Sequence, residues 1–110
     1  MLIDVLTALL REHQDIQALA VIDDLGAIVS ETAAIPGNEK AIAVLVRAWL
    51  AAHATGAGLA ELRAEGPSSA FLVRTLGPAT VVADLKTGAS LGRIALVLRL
   101  QHSSLVGALP

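Results

Sequence analysis

The chain has 110 residues, with eight lysines and arginines against ten aspartates and glutamates, a formal net charge of −2, and no cysteine. The missing cysteines exclude a disulfide framework, a thiolate nucleophile and a cysteine-type zinc site, and basic residues scattered from Arg11 to Arg99 give no nucleic-acid footprint. Hydrophobic residues make up 55% and charged residues only 16%, at a mean hydropathy of +0.68, so a single domain over residues 1–110 is expected to cover some of its apolar surface with another molecule. Trp49 and Phe71 are the only aromatics, too few for a base-stacking platform. Asp4 lies early in an amphipathic run with no basic segment before it, so no secretory signal is expected and a cytoplasmic location is.

Leu2, Val5, Leu6, Leu9 and Leu10 recur at helical spacing and predict a short amphipathic first helix ending near His13–Asp15. Ala18–Asp23 and Ala27–Thr32 then read as two strands of a hairpin, with Gly26 supplying a positive φ in the turn. Pro36, Gly37 and Asn38 break the chain. Asn38 is a candidate cap for a long helix that Gly56 and Gly58 end, with Glu39 near its positive dipole end. Three strands follow, Glu61–Glu65, Ser69–Leu76 and Ala79–Leu85, punctuated by Gly66-Pro67 and Gly77-Pro78; such short links favour antiparallel neighbours. After Thr87-Gly88, Ser90 can cap a last helix on which Leu91, Ile94, Ala95, Leu98, His102 and Leu105 share a face, although Arg93–Leu100 is apolar enough to pass for a strand. The expected class is α+β: an α-β-β-α-β-β-β-α sandwich with a five-stranded antiparallel sheet flanked by helices.

The long central helix is unusual because Ala41–Ala52 is apolar on every side except at Arg47. A helix resting on one surface needs a single apolar stripe, so this one asks for cover on a second face, and it falls short of the roughly 20 residues that span a bilayer. Ile42, Leu45, Val46, Trp49 and Leu50 form a bulky stripe suited to a core. Ala41, Val44, Ala48, Ala51, Ala52 and Thr55 form a stripe of small residues that lets another backbone come close, and a second copy of the chain is the expected supplier. Arg47 lies between the stripes. It either carries its charge past the seam into solvent or helps receive an acidic or carbonyl-bearing surface on a partner.

Leu9-Leu10, then Ala20-Val21-Ile22-Asp23 with Gly26 and Ile28-Val29-Ser30, and finally Ala89-Ser90-Leu91-Gly92 with Ile94, resemble the first helix, the hairpin and the start of the last helix in the Roadblock/LC7 family. The likeness covers nearly the whole chain, although Leu25 stands where the family's turn usually has a polar residue. It implies a profilin-like fold and a homodimer in which the third strands of two copies pair, which would bring Leu62, Arg63, Ala64 and Glu65 into the seam while the long helices pack side by side. It also implies a non-catalytic adaptor or regulator, with a small Ras-like GTPase as the expected partner. The alternative is a small-ligand sensor with a profilin- or PAS-like arrangement, which the shortage of aromatics weakens.

No catalytic, metal or cofactor site is expected. Gly88-Ala89-Ser90-Leu91-Gly92 spells G-x-S-x-G between a strand and a helix, but no Asp or Glu follows Ser90 to orient a histidine, and His102 lies about 18 Å along the same predicted helix, so Ser90 reads as a helix cap. Lys86-Thr87-Gly88 reads as a turn. Asp23-Asp24, with Glu31 as the nearest other acid, lacks the carboxylate series of a hard-cation site. His13, His53 and His102 lack ligand spacing, and Gly56-x-Gly58 opens no helix that could cradle a phosphate.

Overall fold

The computed structural model describes residues 1–23, 27–32, 61–65, 70–77 and 79–110. The predicted central helix, the hairpin turn at Gly26 and the link at Gly66-Pro67 lie outside the described residues. Helix α1 spans Leu2–Glu12, strands β1 and β2 span Ile16–Ile22 and Ile28–Glu31, β3 spans Glu61–Glu65, and β4 and β5 span Ala70–Leu76 and Ala79–Leu85. Helices α2, Leu91–Leu100, and α3, His102–Gly107, follow. The strands form one sheet in the order β2-β1-β5-β4-β3, and every neighbouring pair is antiparallel.

Leu2, Leu6 and Leu9 bury the stripe that the spacing of α1 predicts. With Leu19 and Val21 of β1, Leu72 and Leu76 of β4, Val81 and Ala83 of β5, and Ile94, Leu98 and Leu105 of α2 and α3, they build the main core on one face of the sheet. The other face carries a second buried cluster of Ala18, Ala20, Ile22, Val73 and Val82, with Phe71 packed against it. β1 and β5 have a strand on each side and cores on both faces, so nearly every residue in them is buried; Gln17 alone in β1 and Asp84 alone in β5 escape that class. This two-sided burial explains the near-continuous apolar run Ala18–Ile22, where a half-solvated strand would alternate.

Gly77, the first of two residues between β4 and β5, has φ 67°, the positive value that primed hairpin turns require there. β2 is held by its end. Thr32 N–H donates to the Leu19 carbonyl at 2.9 Å, while the Leu19 N–H donates to Thr32 Oγ1 at 3.0 Å, so a side chain extends the ladder by one rung.

The last helix departs from its expected course. Instead of running unbroken from Leu91 through Leu105, it divides at Gln101, where φ is −92° and ψ is 2°. Ser90 caps α2 as its position predicts, its Oγ accepting from the Arg93 N–H at 3.3 Å. The apolar spacing runs through the break because Leu98 and Leu105 both reach the main core, so periodicity alone gives no sign of it. Arg93–Leu100 is helical, which settles the alternative of a strand there.

Candidate interaction surface

β3 lies at one end of the sheet, with β4 as its neighbour. The register sets Leu62 opposite Val73, Arg63 opposite Leu72, Ala64 opposite Phe71 and Glu65 opposite Ala70. Arg63 is exposed. An edge strand presents backbone N–H and C=O groups that another strand can complete, so the element that the family resemblance assigns to the dimer axis stands at an edge. Of the other expected interface residues, Ala41, Val44, Ala48, Ala51, Ala52 and Thr55 lie outside the described residues, as do Arg47 and His53.

The remaining candidates are dispersed. His13 sits at the end of α1, its Nδ1 3.5 Å from Arg93 Nη1, and the same guanidinium donates through Nη2 to the Asp15 carboxylate. His102 opens α3 half-buried, and its Nδ1 accepts from Arg74 Nε of β4 at 3.4 Å. Asp23 Oδ1 accepts from the Ala27 N–H at 2.8 Å and so helps shape the hairpin. Among the described residues no three His, Cys, Asp or Glu side chains gather as a metal site would require. Asp4, Val5, Ala8, Leu9 and Glu12 of α1, with Gln101 and Ser104, line an open groove of about 330 Å³ whose charged groups are both acidic.

Sequence reasoning passed over Asp84. It lies in β5, directly in register with Ala18 of β1 and Phe71 of β4. Burial raises its carboxyl above the ordinary aspartate value, because desolvation disfavours the charged form. The available signal was a single acid in the otherwise apolar and hydroxyl-bearing run Ala79–Leu85.

No family model matches the sequence, and no curated protein matches it. Solved structures do. The gliding protein MglB from Thermus thermophilus is 23% identical, with 96% of this chain and 86% of that one covered at a TM-score of 0.78. A structure described as MglB with tetrameric arrangement is 23% identical, with 96% and 85% covered and a TM-score of 0.78. The Roadblock/LC7 domain from Streptomyces avermitilis is 17% identical, with 94% and 97% covered and a TM-score of 0.74.

Proposed function

Because the chain has the Roadblock/LC7 fold, we propose that it is a homodimeric, non-catalytic adaptor or regulator that binds a small Ras-like GTPase and modulates or scaffolds it. The observation that carries this proposal is the place of β3 at the edge of the sheet, where a twin strand can extend the ladder. The apolar composition supports self-association, as does the tetrameric arrangement named for one similar structure. In the dimer the small stripe Ala41, Val44, Ala48, Ala51, Ala52 and Thr55 lines the helix seam, Leu62 to Glu65 line the strand seam, and Arg47 faces the GTPase. The partner supplies any nucleotide. No described helix is long and apolar enough to cross a membrane, and the action proposed is cytoplasmic.

Affinity capture from the native cell with mass spectrometry tests the partner, with a small GTPase among the specific hits as the expected result. Light scattering at micromolar concentration tests the dimer: twice 11.3 kDa is expected, and a well-folded monomer contradicts it. Ala48→Glu places an unpaired carboxylate in the proposed helix seam, which is strongly disfavoured, and is expected to yield monomer.

A further inference from the structure

Strand β5 carries one charged side chain, Asp84. Its alternation puts Thr80, Val82 and Asp84 on one side of the sheet, the side of the second core cluster that contains Ala18, Val73 and Val82, with Phe71 against it. Residues in register across an antiparallel ladder project to the same face with Cβ atoms about 4.5–5.5 Å apart. Asp84 therefore stands between the methyl group of Ala18 and the ring of Phe71, neither of which can donate a hydrogen bond to it. Among the described residues no hydrogen bond or ion pair reaches its carboxylate. Asp84 and Phe71 are both half-buried, so each keeps part of its surface exposed.

The arginines of β3 and β4 cannot serve it. Arg63 is in register with Leu72 and Arg74 with Val81, which places both on the opposite face, where Arg74 already contacts His102. A carboxylate that is partly desolvated and unmatched is stabilised by a cation, and a ring at its side selects which cation. A guanidinium can offer its planar N–H fork to the carboxylate while its face lies on the ring, whereas an ammonium is a strongly hydrated point charge. A metal ion is disfavoured because Asp84 belongs to no group of three possible ligands among the described residues.

We propose that Asp84 and Phe71 form a receiving site for one arginine side chain of a partner protein, with the carboxylate taking the guanidinium edge and the ring its face. The inference rests on the proposed role as a protein-binding regulator, and it names two residues that would hold the partner.

The test uses the full chain and Nα-acetyl-arginine amide as the probe, followed by NMR of the side-chain carboxyl carbons and the Phe71 ring protons. The expected result is a saturable shift of the Asp84 carboxyl resonance together with the Phe71 ring, with Nα-acetyl-lysine amide binding at least about threefold more weakly. Asp84→Asn should abolish the response at the Phe71 ring, and Phe71→Leu should weaken arginine binding about threefold. An Asp84 resonance that moves no further than that of Asp4, or equal responses to the two amides, overturns the proposal. Neither outcome depends on a GTPase, so a failure here is distinguishable from a failure to capture one.

Discussion

The Arg93 guanidinium donates to the Asp15 carboxylate and fastens the first turn of α2 to the link between α1 and β1. The Asp15 carbonyl meanwhile accepts from the Lys86 N–H at 2.8 Å, so one residue ties down both ends of the connection from β5 to α2. The two side chains of the ion pair remain 47% and 39% exposed, and ion pairs in that setting contribute modestly. Asp15→Asn is expected to cost about 0.5 kcal/mol and less as ionic strength rises. Urea unfolding at low and high salt checks this; a loss unchanged by salt would assign the effect to something other than the charge pair.

Thr32 replaces a backbone group at the end of β2, since its Oγ1 accepts from the Leu19 N–H. Thr32→Val keeps the shape and removes the acceptor, leaving a donor of the buried residue Leu19 unmatched, with an expected cost of about 1–3 kcal/mol. Hydrogen exchange should accelerate at the Leu19 amide more than at Val81 in the central ladder. Equal acceleration at both would mean that the whole sheet, and not its end, had been weakened.

Asp84 gives stability a definite sign against pH. Its folded-state carboxyl is raised above the ordinary aspartate value of 3.8, so the native state holds the proton more tightly than the unfolded chain does. Stability therefore falls as pH rises from about that value through the higher folded one, and the penalty is fully present once pH exceeds the folded value. Asp84→Asn removes the titration: the variant should gain on the wild type between acid and neutral pH, and the gain should vanish below the ordinary value. Parallel stability curves for the two proteins across this range would contradict the assignment.

The strands were legible where punctuation bounds them. Glu61–Glu65 and Ala79–Leu85 have the limits read from the sequence, because Gly66-Pro67 and Gly77-Pro78 mark their flanks. β1 begins at Ile16, two residues before the Ala18 start read from the sequence, because an irregular pairing near Gln17 lets Ile16 still meet Leu85. The division at Gln101 was illegible, since the apolar face continues across it. The contact of Arg74 with His102 spans 28 residues, and the register of Asp84 with Phe71 follows only from how β4 and β5 align. An isolated acid in a strand is visible in sequence, whereas the ring beside it is not.

The last prediction concerns β3, the end strand of the described sheet. Two identical strands pairing about a twofold axis normal to the sheet keep each face on its own side, so residues of like parity meet. Centred on Arg63, the pairing sets Arg63 against its own copy and Glu61 against Glu65. Centred on Ala64 it sets Arg63 against Glu65, and centred on Leu62 it sets Arg63 against Glu61. Opposed charges across strands contribute roughly 0.2–1 kcal/mol and like charges cost a similar amount, so the latter two registers are favoured. The twofold doubles every such contact that lies off its axis. Arg63→Glu makes positions 61, 63 and 65 all acidic and leaves no register with a matched pair. Its dissociation constant should rise about tenfold, the equivalent of about 1.4 kcal/mol, and the increase should shrink in high salt. Sedimentation equilibrium at two ionic strengths measures both quantities. A dissociation constant unmoved by Arg63→Glu would place the dimer axis away from β3.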